Sequence, residues 1–224
     1  MRDLIELLEC LNRKERFFLI GQALGNPIFA TAPAFLNRIS DATGISLPSP
    51  DHVHCFMDYH LDWLYAALIL STSDGNGPFE SPAFPPAKPG DPPWNVNTNQ
   101  EDTDLLLAFR TEAITHLVLI EAKAATGWRL NQIASKARRL GTVFGKDGHR
   151  FPNVEPRFVL ISPRRSPALV EKLAVHPDVP PWMRPHGKVA WVQLHIPAGR
   201  LLITRCDASG MAMKTGDHWQ VANQ

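Results

Sequence analysis

The sequence predicts an α/β domain built on a mixed β-sheet flanked by helices, with a helical N-terminal extension in front of it. Three observations carry that expectation. Leu105 to Phe109 and Leu117 to Ile120 are short continuous apolar runs separated by the polar stretch Arg110 to Thr115, which suits two antiparallel strands buried on both faces. Behind them a helical segment places Leu130, Ile133, Ala134, Ala137 and Leu140 on one stripe. Further strands are supplied by the apolar run Phe158 to Ile161 and by two alternating stretches, Lys188 to Ile196 and Arg200 to Cys206, with a helix from about Ser166 to Val175 between them.

In chain order, Leu4, Leu7, Leu8 and Leu11 share a helical face, Lys14 to Leu24 continues as helix until Gly25-Asn26-Pro27 stops it, and a third helix runs from Pro33 to Ala42. This extension, residues 1–48, either caps the sheet or makes a subunit contact in a homodimer. The remainder, 49–224, reads as one domain. Ser49-Pro50-Asp51 supplies start signals for a helix from Asp51 or His52 to Leu70, which would set Asp58 and Asp62 on one face. His52, His54 and His60 nearby lack metal-ligand spacing and read as ordinary histidines. Residues 71–100 hold seven prolines and three glycines with little periodicity, the composition of a long loop. After the central hairpin and helix, Gly145-Lys146-Asp147-Gly148 makes a turn, and Pro197-Ala198-Gly199 joins the last two expected strands.

A formal net charge of +1 and a hydrophobic content of 44% describe an ordinary globular chain with no global pull toward nucleic acid or membrane. The average hides a local excess, because Lys123 to Arg165 contains ten Lys or Arg against only Asp147 and Glu155. Cys10, Cys55 and Cys206 are far apart with no Cys-x-x-Cys spacing, which argues against a disulfide framework or structural zinc. With Asp3, Glu6 and Glu9 among the first leucines and no apolar run of spanning length, the expectation is a cytoplasmic protein without a membrane partner.

The chemistry-bearing residues gather at the open end of the central hairpin. If the chain turns about Glu112 and Ala113, Asp104 faces Glu121 across the ladder, and opposed side chains share a face. Lys123, two residues beyond Glu121, projects from that face as well. On the helix that follows, Arg129, Gln132, Lys136 and Arg139 form a polar stripe beside the apolar one. Ionised groups at the edge of a core must be paired or bound to metal, so such a convergence calls for an explanation.

Asp104, the spacing to Glu121-Ala122-Lys123, and the helix bearing Gln132 resemble the PD-(D/E)xK nuclease superfamily, the restriction-endonuclease-like phosphodiesterases, over roughly residues 50 to 165. Two positions depart from its pattern: no Pro precedes Asp104, and Lys136 stands where some members carry Tyr. The resemblance implies a restriction-endonuclease-like core and a metal-dependent nuclease, with DNA favoured over RNA. Asp104 and Glu121, the backbone carbonyl of Ala122 and a further acid from the preceding helix, Asp62 ahead of Asp58, would hold Mg²⁺ or Mn²⁺. Lys123 would serve the attacking water, Gln132 would hold the phosphate or Lys123, and Arg129, Lys136 and Arg139 would contact phosphates. Two other readings stand beside it: a nuclease-like module that binds nucleic acid or a protein without cleaving, and a structural Glu121–Lys123 ion pair.

Overall fold

The computed structural model describes residues 2–75, 77–80, 83–84, 94–95, 101–124 and 127–223. Its centre is the hairpin, β4 (Asp102–Thr111) and β5 (Ile114–Ala122), paired antiparallel with Leu105 opposite Ile120 and Thr111 opposite Ile114. Glu112 in the turn takes φ +54°, the positive value that tight hairpin turns ask of a central residue. Outside β4 lies β1 (His54–His60), also antiparallel, while β6 (Val154–Ser162) and then β7 (Ala190–Gln193) add to β5 in parallel. The five-stranded order β1-β4-β5-β6-β7 is therefore a mixed sheet. The two parallel joins are made by α5 (Leu130–Phe144) and α6 (Pro167–Ala174), as parallel neighbours require a crossover.

Both faces of this sheet are covered, which is why its strands read as unbroken apolar runs. One face presents Phe56, Leu106, Ala108, Leu117, Leu119, Phe158 and Leu160 to α1 (Leu4–Leu11), α4 (Leu61–Thr72), α5 and α6. The other presents Leu107, Phe109, Val118, Ile120, Val159 and Ile161 to Leu36 and Ile39 of α3 (Pro33–Thr43). The N-terminal helices thus belong to both core layers. Asp3 caps α1 by accepting from the Ile5 amide at 2.8 Å, and α2 (Glu15–Leu24) ends on Gly25 in the left-handed region. Among the described residues, no helix is long and apolar enough to cross a membrane.

Three stretches differ from the sequence expectation. The helix expected over residues 51–70 is a strand followed by a helix, β1 and then α4, because residues 54–60 find a ladder partner in β4 that no local propensity reports. Asp58 and Asp62 consequently do not share a helical face. Asp58 adopts φ +49° and pairs with Arg16 at 3.1 Å, while Tyr59 turns into the core and donates to the Leu8 carbonyl at 2.8 Å. In the Pro/Gly-rich stretch, Ala83–Phe84 (β2) pairs with Trp94–Asn95 (β3), and most of the rest of the loop lies outside the described residues. Finally, β7 and β8 (Leu201–Cys206) are not a hairpin: β7 joins the main sheet, whereas β8 pairs with β9 (His218–Asn223) in a separate ribbon.

Candidate functional site

The ladder carries the candidate residues to one end of the sheet. Leu105 opposite Ile120 is the last formal pair, so the next positions outward are Asp104 and Glu121. Asp104 continues the face of Leu106 and Ala108, Glu121 that of Leu117 and Leu119, so both point to the α5 side. They meet through the backbone as well, the Asp104 carboxylate accepting from the Ala122 amide at 2.6 Å. It is the N–H of Ala122 that engages the acid here.

Glu121 is buried, only 6% exposed, and its counterion is Lys136. The Lys136 ammonium donates to the Glu121 carboxylate and to the backbone carbonyl of Asp102. Burial pushes the Glu121 carboxyl up to about 7; Lys136 works against that shift, and the charges of Asp104 and Glu101 add to it. Around this pair lie two more ion pairs, Lys14 with Asp102 at 3.3 Å and Arg139 with Glu101. The end of the sheet therefore holds four carboxylates, Glu101, Asp102, Asp104 and Glu121, against three paired cations.

Lys123 sits elsewhere in the arrangement. Its amide donates to the Ile161 carbonyl at 2.9 Å, which fixes it beside the end of β6, and its half-buried ammonium lies over the Trp128 ring, 5.6 Å from the centroid. Gln132 and Arg129 are exposed at the start of α5. Asp62, at the start of α4, bonds the Trp63 amide at 2.9 Å and lies 3.9 Å from His60 Nδ1. Among the described residues no group of three His, Cys, Asp or Glu is arranged to hold a metal ion, so Asp104 and Glu121 stand as a pair that Asp62 does not join.

The role of Lys136 as the partner of Glu121 is absent from the sequence reading, which places it on the polar stripe with Arg139. A signal was available: Lys136 lies three residues after Ile133 and four before Leu140, inside the buried stripe, where a lysine needs an anionic partner. Glu101, Asp102 and Lys14 carried no comparable signal, since only the fold brings the latter to the end of β4. No protein-family model, curated protein or solved structure matches the chain.

Proposed function

We propose that this chain is a metal-dependent phosphodiesterase acting on nucleic acid, DNA ahead of RNA, with Asp104 and Glu121 at its centre. The observation that carries the reading is the pairing of two carboxylates across an antiparallel ladder, one of them buried, at the open end of a sheet where acids outnumber their cations. The strand order supports it: a β1-β4-β5 meander, a helix, and a parallel β6 agree with a restriction-endonuclease-like core. Two opposed carboxylates, of which Asp104 forms no ion pair among the described residues, fit a hard divalent ion, Mg²⁺ or Mn²⁺, whose remaining positions fall to water and substrate oxygens. Bound there, such an ion would supply positive charge for the attacked phosphate and acidify a bound water.

The chain's own residues have separable tasks. Lys136, held on Glu121 and the Asp102 carbonyl, neutralises charge gathered at the site and favours the ionised form of Glu121 against its burial. Lys123, resting on Trp128, is the cation at the rim and the group assigned to the attacking water. Gln132, exposed on the first turn of α5, is assigned to a phosphate oxygen.

Plasmid, single-stranded DNA and RNA incubated with Mg²⁺, Mn²⁺ or EDTA test this directly. Cleavage should require the ion, and Asp104→Asn and Glu121→Gln should each lower it by at least about a hundredfold with the fold intact by circular dichroism. Cleavage that survives EDTA, or full activity in both variants, overturns the assignment. One observation favours a second reading, a nuclease-like module that binds without cutting: Asp104 and Glu121 already hold internal partners in Ala122 and Lys136. Retention of nucleic acid with no cleavage in either metal selects that module.

A further inference from the structure

The local excess of positive charge between Lys123 and Arg165 is divided by the fold into three groups with different tasks. Lys136, Arg139 and Arg157 are spent inside the molecule on Glu121, Glu101 and Glu155. Lys146 and Arg150 are exposed just beyond the C-terminal end of α5, at the far end of the sheet from Glu121. Arg138 stands apart, half-buried in the middle of α5, and the remaining four collect around the candidate site. Lys123 ends β5; Arg164 and Arg165 are exposed in the turn that leaves β6, anchored by Ser162 Oγ donating to the Arg164 carbonyl at 2.9 Å. Because Lys123 bonds the Ile161 carbonyl, the two arginines begin one strand over from it, a spacing of about 5 Å between neighbouring chains.

The third side of this rim comes from α5. The helix begins at Leu130, six residues before the Lys136 whose ammonium reaches Glu121, so its N-terminal end extends past Lys136 as an overhang on the side where β5 ends. That overhang carries exposed Arg129 and Gln132. Arg129, Arg164 and Arg165 pair with no carboxylate among the described residues. A row of exposed, unspent guanidinium groups borders a recessed carboxylate pair, beyond the carboxyl ends of the parallel strands where ligands of α/β sheets enter.

We infer that Arg164 and Arg165, with Arg129, form the track that holds the phosphate backbone of a nucleic acid across the end of β5 and β6. The inference rests on the function proposed above and names the surface through which that substrate is held. A repeating anion suits the row, and guanidinium groups match phosphate oxygens two at a time. Lys136 and Arg139, which the sequence places among the phosphate contacts, are excluded from the track by their internal ion pairs. The track is sequence-blind, because backbone contacts position a duplex and carry no base information.

The test is binding without catalysis. A fluorescent 20-base-pair duplex is titrated with the full chain in EDTA over a series of salt concentrations, for the parent, Arg164→Ala/Arg165→Ala and Lys146→Ala/Arg150→Ala. The first double variant should bind about tenfold or more weakly, and its dependence of log affinity on log salt should flatten by about two. The second, with charge removed from the same segment but the opposite end, should match the parent. Equal affinity and slope in Arg164→Ala/Arg165→Ala overturn the track while leaving the proposed function in place. A parent that binds no duplex at low salt also overturns the track, while the proposed function is decided separately by the cleavage assay on plasmid, single-stranded DNA and RNA. Displacement of the duplex by an equal charge concentration of polyglutamate overturns the nucleic-acid assignment of the surface. An Arg164→Glu variant, monitored by thermal unfolding, keeps the result interpretable if the double variant folds poorly; it changes the charge by the same two units and should weaken binding comparably at unchanged melting temperature.

Discussion

At the turn end of the sheet His116 is buried against Phe109, its ring stacked at 4.8 Å and 15°, with Nε2 in a 2.6 Å hydrogen bond to Thr111 Oγ1. At the opposite end Glu121 is buried to a similar degree, against Lys136 and the Asp102 carbonyl. The two ends treat a buried ionisable group in contrary ways. His116 is accommodated as a neutral ring by an aromatic face and a hydroxyl from its own hairpin, and desolvation holds its pKa below the ordinary value, while Glu155 3.6 Å away raises it and Arg157 adds to the lowering. Glu121 depends on a cation delivered by a helix distant in sequence, and it has Asp104 and Glu101 beside it to raise its charge cost. A closed end whose ionisable group is held by ring stacking and one hydroxyl, with Nδ1 buried and without a hydrogen-bond partner, reads as structure. An end whose buried carboxylate is stabilised from a distant helix is the end at which the proposed divalent ion and substrate would act.

The largest effect that would break this contrast concerns the counterions. Lys136→Met leaves Glu121 buried without its cation and should cost about 3 to 5 kcal/mol in urea denaturation, most of it recovered in Lys136→Met/Glu121→Gln. At the turn end, Arg157→Met removes a pair whose carboxylate is 32% exposed and should cost less than about 1 kcal/mol. Equal losses would mean that both ends are structural alike.

A smaller effect, of opposite sign at the two ends, lies in the pH dependence of the metal-free protein. The Glu121 carboxyl is raised from 4.5 to about 7, so the stability tied to it is fully present below pH 4.5 and is lost as pH rises toward 7. Glu121→Gln should therefore gain on the parent by about 2 to 3 kcal/mol across that window. The His116 pKa is lowered from 6.5, so its contribution is present above that pH and is lost on acidification below it. His116→Gln should gain on the parent as pH falls from 6.5, and urea midpoints measured from pH 4.5 to 8 would resolve both trends. Parallel trends in the two variants would remove the distinction.

The smallest effect belongs to the turn itself. Glu112 holds φ +54° without being glycine, so Glu112→Gly should stabilise the closed end by about 0.5 to 1 kcal/mol and leave the proposed cleavage untouched. A change in cleavage would show that the two ends are coupled through the hairpin.

Much of this architecture was legible from local pattern. Apolar runs too short for helices and bounded by polar residues mark β4, β5 and β6, and the hairpin register that opposes Asp104 to Glu121 follows from where the turn falls, since strand alternation leaves no freedom once a turn is set. The apolar stripe of α5 and the stop at Gly25 are equally local. The tertiary structure decided what depends on partners distant in sequence. Residues 54–60 become a strand only because β4 offers an edge, and β9 only because β8 does; neither pairing is written in the segment that undergoes it. The same holds for charge. Ten cations in one segment look alike in sequence, and what sets Lys136 apart from Arg164 is that the fold buries the first on Glu121 and leaves the second in solvent. An ion pair needs two groups within a few ångströms, and across sequence separations of 15 and 38, as for Lys136 with Glu121 and Arg139 with Glu101, only the packed sheet and helix supply that proximity.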